Sequence, residues 1–127
     1  MRFKLLAVFL FLALMSNAQS HSDYGSVKVL SAVTQNTFGY NVGYYAEFKN
    51  NSSKEVDGLK WKASFYDNFG ELKGTRDGEW QSGNFIKPIP AGEATKELET
   101  VWVEGATKVF LTIKLVHFTD GTSTKRK

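Results

Sequence analysis

No cysteine occurs anywhere in this chain of 127 residues, and that absence removes three possibilities at once. No disulfide can staple the fold, no thiolate can serve as nucleophile or metal ligand, and no lipid can be attached to a cysteine behind a leader. Histidine is nearly as scarce. His21 and His117 are the only two, so bases that titrate near neutral pH and could activate a hydroxyl nucleophile are in short supply. A two-histidine zinc site would have to recruit His21 from near the start of the chain, and the sequence calls for no cofactor or metal. The two prolines, Pro88 and Pro90, bracket Ile89 and exclude a central strand there. An apolar run of the ~20 residues that cross a hydrocarbon core is also missing.

The longest apolar run, residues 5–15, follows Arg2 and Lys4 and precedes Ser16-Asn17-Ala18. A basic start, a short greasy stretch and small residues before a cut site describe a secretory leader. Residues 1–18 are therefore expected to be a signal peptide cleaved after Ala18, leaving a secreted or periplasmic protein with no transmembrane anchor. The leader also distorts the charge. Without Arg2 and Lys4 the 16 basic residues fall to 14, three of them in Lys125-Arg126-Lys127, against 13 acidic ones. The body from Gln19 to Thr124 is then slightly acidic, and nothing in it has the clustered Lys/Arg footprint of a nucleic-acid binder.

After the leader, apolar residues alternate with a period of two rather than 3.6, which predicts strands. Val42, Tyr44, Ala46 and Phe48 share one face; so do Leu59, Trp61, Ala63 and Phe65, and then Val109, Leu111, Ile113 and Leu115. An earlier strand is expected over residues 26–34. Asn50-Asn51-Ser52-Ser53 and Asp67-Asn68-Phe69-Gly70 supply turn chemistry, with Gly70 where a positive φ is needed. Asp77-Gly78 and Asp120-Gly121 are hairpin candidates, the second as a two-residue loop. Evenly spaced short strands in one small domain predict an all-β fold, a single antiparallel β-sandwich of about six to eight strands. Residues 19–25 are expected to be a flexible N-terminus, 26–123 the sandwich and 124–127 a basic tail.

Within this pattern, Glu47-Phe48-Lys49-Asn50-Asn51-Ser52, then Phe65-Tyr66-Asp67 closing a strand, then Gly70 and Ala91-Gly92-Glu93, resemble the FxLYD family of immunoglobulin-like domains found in exported and surface proteins. In that pattern Ala63 stands at the first Phe and Phe65 at the Leu, with Tyr66-Asp67 intact. The resemblance implies an immunoglobulin-like sandwich without catalytic role, acting as a structural or binding module. Residues 76–88 form a longer segment than that family has between these strands, either an extra hairpin or an exposed loop.

Tryptophan marks the remaining candidates. Trp61 alternates with core residues and is expected to be the buried sandwich tryptophan, with Tyr66, Asp67 and Gly70 also structural: Tyr66 covering a sheet face and Asp67 capping turn amides. Trp80 stands among Gly78, Glu79, Gln81, Ser82, Gly83 and Asn84, a polar setting where the ring either covers the core edge or contacts a partner. Phe85 follows, and Arg76, Trp80, Phe85 and Trp102 make up the candidate binding set. Glu97 with Glu99, and Asp77 with Glu79, are the carboxylate pairs a glycosidase could use, though such spacing also describes a solvated strand face. Asp67, Asn68 and Glu71 offer oxygens to calcium but lack the spacing of an EF-hand loop. His117 reads as a solvent-facing or satisfied strand histidine. Asn50 and Asn51 head two overlapping glycosylation sequons.

The function expected from these features is a non-catalytic exported structural or interaction module with a protein or glycan partner. The alternatives are a carbohydrate-binding module using Trp80 and Trp102, a secreted enzyme inhibitor stiffened by Lys87-Pro88-Ile89-Pro90, and a small hydrolase with two facing carboxyls.

Overall fold

The computed structural model describes residues 24–37, 41–101 and 103–126. The leader, His21, Trp102 and Lys127 lie outside these residues. Seven strands follow in order: β1 (Val27–Thr37), β2 (Asn41–Asn50), β3 (Val56–Tyr66), β4 (Leu72–Gln81), β5 (Ala94–Val101), β6 (Lys108–Phe118) and β7 (Ser123–Lys125). They form two sheets, β1-β2-β5 and β4-β3-β6-β7, in which every neighbouring pair is antiparallel. Among the described residues no helix is long and apolar enough to cross a membrane.

One core joins the two sheets, and the alternation explains it. Tyr44, Ala46 and Phe48 from β2 and Leu59, Trp61, Ala63 and Phe65 from β3 are all buried in it. The Trp61 indole N–H donates to the Tyr44 hydroxyl at 2.8 Å, while the Trp61 ring lies 4.8 Å from Phe48 and Phe65 sits edge-on to Tyr44 at 5.7 Å. A buried indole N–H without an acceptor would cost about 1–3 kcal/mol, so this bond lets a large ring fill the space between the sheets without that penalty.

Several boundaries differ from the sequence reading, each for a physical reason. Asp77-Gly78 is no hairpin but the interior of β4, where Gly78 stands opposite Trp61. A Cβ on Gly78 would overlap the Trp61 indole, so the glycine serves close approach rather than a turn. In β6 the register breaks opposite Lys60 and Trp61, leaving Lys114 as an extra residue. The bulge flips the phase: Val116 and Phe118 turn into the core, and Leu115, expected inside, moves out of it. Asp120-Gly121 belongs to a three-residue loop rather than two. The Phe118 N–H donates to the Thr122 carbonyl, and Gly121 holds φ 89°.

Hydrogen bonds tie down both ends of the described fold. Tyr24 and Val27 exchange two backbone hydrogen bonds around Gly25 and Ser26, both at positive φ. In the expected basic tail, Thr124 and Lys125 lie in β7, and the Arg126 side chain donates to the Ile113 carbonyl at 3.0 Å while lying over the Tyr24 ring at 4.8 Å.

Candidate functional site

The site begins with a buried asparagine. Asn50 ends β2, its side-chain amide donating to the Lys54 carbonyl at 2.7 Å and the Ile89 carbonyl at 2.9 Å, while its Oδ1 accepts from the Ser52 amide and hydroxyl. Its backbone N–H donates to the Glu93 carbonyl and its carbonyl accepts from Gly92, which sits at φ 82°. One residue thus fixes the β2–β3 turn and the far foot of the β4–β5 connection. The same burial takes Asn50 out of use as a glycosylation acceptor in the folded chain; Asn51 beside it is exposed.

The β4–β5 connection is fastened at several points. The Ser82 N–H donates to the Asp57 carbonyl at 2.9 Å, and Ile89 exchanges two backbone hydrogen bonds with Val56 while its side chain is buried. Between these feet, Gly83 and Ile86 exchange backbone hydrogen bonds of 2.8 and 3.3 Å, closing a tight turn with Asn84 and Phe85 at its tip. Phe85 is 100 % exposed and Ile86 stands half out of the protein beside it. An apolar ring held in water on a braced turn gains nothing from folding, because it leaves no water behind.

Two hollows flank this loop. One, of about 350 Å³, is lined by Glu55, Lys87, Pro88, Ile89, Glu93 and Thr95 among others. The other, of about 430 Å³, opens over Gly58, which lies between Gln81 and His117 in the sheet and offers no side chain to fill the space. The His117 Nδ1 lies 2.5 Å from the Asp57 Oδ1, within hydrogen-bond distance. Glu79 and Gln81 bond to each other on the opposite wall. Among the described residues no three His, Asp or Glu side chains stand close enough to hold a metal ion.

Of the three candidate binding residues that are described, the structure puts only Phe85 at this tip. Trp80 is 3 % exposed and belongs to the core, paired across the sheet with buried Leu59. It is a core cover and not an exposed anchor, because the even positions of β4 from Gly74 to Trp80 share the face of Phe65, Ala63, Trp61 and Leu59. Arg76 stands mid-strand in β4, opposite Ala63, with its guanidinium donating to the Thr75 carbonyl; it is no part of the loop. Trp102 lies outside the described residues. Residues 76–88 are thus neither an extra hairpin nor one long loop, but half of β4 followed by a short projecting turn.

The other candidates resolve similarly. The Asp67 Oδ1 accepts from the amides of Phe69 and Glu71 and Oδ2 faces the Lys73 ammonium at 3.4 Å, so its oxygens cap the turn; these bonds, the Glu71 amide foremost, hold its carboxyl below the usual range. The Asn68 Oδ1 accepts from the Thr107 hydroxyl. Gly70 takes φ 81° as expected, and Tyr66 packs edge-on to Phe110 at 5.4 Å. Asp120 is likewise held low, by the Thr122 hydroxyl and then Lys54. Glu97 and Glu99 are not a solvated face: they pair with Ala46 and Tyr44 and point, half-buried, toward the core side. Burial raises both carboxyls, and Glu99 raises Glu97 further. Burial pushes the Tyr44 hydroxyl up to about 12 against the lowering effect of Trp61.

The sequence matches no protein family and no curated protein. Among solved structures, the chain is similar to a hypothetical protein from Peptoclostridium difficile 630, with a TM-score of 0.61 and 10 % identity over 84 % of this chain and 89 % of the other. A DUF1425 family member from Shewanella sp. pv-4 aligns with a TM-score of 0.48 and 18 % identity over 72 % of this chain and 83 % of its own. The first likeness speaks to the fold alone.

Proposed function

We propose that this chain is an exported, non-catalytic interaction module: an immunoglobulin-like β-sandwich akin to FxLYD domains, freed by cleavage after Ala18 into a periplasm or the extracellular space. It captures a protein partner with the turn at residues 83–87. The single observation that carries the reading is the fully exposed Phe85 at the tip of a turn closed by two backbone hydrogen bonds. Bracing that turn before any partner arrives lowers the ordering cost of binding, and an aromatic anchor supplies much of the contact energy. Two sheets sharing one core are the arrangement such a sandwich requires. A glycan platform is less well supported, since Trp80 is buried. An inhibitor reading would have to rest on the 83–87 turn, because Ile89, in the middle of the Lys87-Pro88-Ile89-Pro90 run, is tucked inside.

Phe85→Ala is the deciding variant. It is expected to leave stability within about 0.5 kcal/mol of the parent, as for exposed positions generally, while capture of the native partner in a pull-down from the envelope or medium falls at least tenfold. Unchanged capture would remove the turn from the binding surface.

A further inference from the structure

β5 is the edge of its sheet, with β2 on one side and, among the described residues, no strand on the other. Its pairing with β2 runs unbroken from Val42 opposite Val101 to Lys49 opposite Ala94. The other exposed edges carry devices that discourage pairing: β1 is broken by a register shift after Val29, β4 bears Lys73, Arg76, Asp77 and Glu79, and β7 has three residues. A long regular edge is a template for another chain, and β5 has a different device.

Its polarity is inverted. Thr95, Glu97 and Glu99 share the core-facing side with Phe48, Ala46 and Tyr44, while Leu98 faces out. Leu98 ends a row that crosses the sheet in register, Val33–Tyr45–Leu98, exposed by 60, 46 and 52 %. Two copies joined β5 to β5 in antiparallel fashion about Leu98 would set Leu98 against Leu98 and merge the two rows into one apolar band across six strands. The same register puts Glu97 of each copy opposite Glu99 of the other. Like charges directly opposite on a sheet repel, so four ionised carboxylates would hold the copies apart, whereas neutral carboxyls could hydrogen-bond across the seam.

We propose that β5 is an acid-gated self-association edge, closed at neutral pH by Glu97 and Glu99 and open to a second copy of this chain once they are protonated. Tyr44 on β2 shares the face of the pair and stands opposite Glu99, and on β4 Arg76 holds a core-face position opposite Ala63; Lys96 on β5 and Glu47 on β2 pair on the opposite face. Tyr44, pushed up to about 12, stays neutral throughout. Both carboxyls are raised by burial, which brings their protonation above the ordinary carboxylate range.

Sedimentation velocity on the chain purified after expression with its leader tests this between about 5 and about 500 µM, with near-UV circular dichroism verifying the fold. The parent is expected to be monomeric at about pH 7 and to dimerise at about pH 4.5. The double variant Glu97→Gln/Glu99→Gln should dimerise at about pH 7, at least tenfold more tightly than the parent there. Leu98→Lys, which sets like charges together only in the two-fold register, should abolish the dimer under both conditions. A double variant that stays monomeric at neutral pH, or an acid dimer that Leu98→Lys leaves intact, would overturn the proposal. Because Phe85 lies on the β4–β5 loop and not on this edge, failure here leaves the partner-capture reading standing.

Discussion

At the scale of single residues, Gly78 and Trp80 show how one strand segment can look like a site and be a core. Gly78 lies under the Trp61 indole and Trp80 is buried two positions on. Gly78→Ala should displace the indole and its bond to Tyr44, costing about 1–3 kcal/mol as overpacking does. Trp80→Ala should cost about 3–5 kcal/mol by loss of a large buried ring. Urea unfolding measures both, and a near-neutral Trp80→Ala would contradict its place in the core. The sequence could not decide between cover and contact for Trp80, because polar neighbours on alternate positions of an edge strand resemble a loop. What settles it is the register with β3, and register is a property of two strands. The turn residues needed no such partner. Asp67 caps its own following amides and Gly70 takes the positive φ, so both were readable from local order alone.

At the scale of the element, β5 is costly in a way that pH reveals. Glu97 and Glu99 have raised carboxyl pKa values in the fold, so the protonated form is favoured there over the unfolded chain. Their contribution to stability is therefore fully present below the ordinary carboxylate range and is lost as pH rises through the raised values. Replacing both with Gln should stabilise the monomer at neutral pH, by no more than about 0.5 kcal/mol given their partial exposure, and the gain should vanish in acid. Thermal melts of parent and variant across pH, at concentrations low enough to keep both monomeric, measure this; a gain that persists in acid would locate its cause elsewhere. The strands β2 and β3 were legible because their inward residues are apolar. β5 was not, since its inward positions carry Thr and Glu, and alternation alone cannot say which side faces the core. In β6 the pattern held until Lys114, where an extra residue reversed it.

At the scale of the whole molecule, the two-sheet all-β architecture followed from the period of two, while the union of distant segments at Asn50 did not. An Asn-Asn-Ser-Ser run announces a turn, yet nothing in it reveals that the first amide reaches the Ile89 carbonyl 39 positions away. Asn50→Ala would leave the carbonyls of Lys54 and Ile89 and the amide of Ser52 without this partner. Val56 still donates to the Ile89 carbonyl and the Ser52 hydroxyl to that of Lys54, so the expected loss is about 1–3 kcal/mol, from the bonds removed and the Ser52 amide deprived of its acceptor. Amide hydrogen exchange should quicken across residues 82–93, with partner capture weakened through loosening of the turn rather than loss of contact. Protection unchanged in that loop would show that Val56 and Asp57 alone suffice to brace it.

The clasp of Arg126 over Tyr24, with its guanidinium also on the Ile113 carbonyl, brings the two ends of the described fold side by side. Domains whose ends meet can be joined there and reopened elsewhere. A circular permutant linking residue 126 to residue 24 by a short bridge and cut between Asn84 and Phe85 would keep every strand pairing while severing the tip of the projecting turn. Such a molecule separates the architecture from the displayed ring without altering a single side chain.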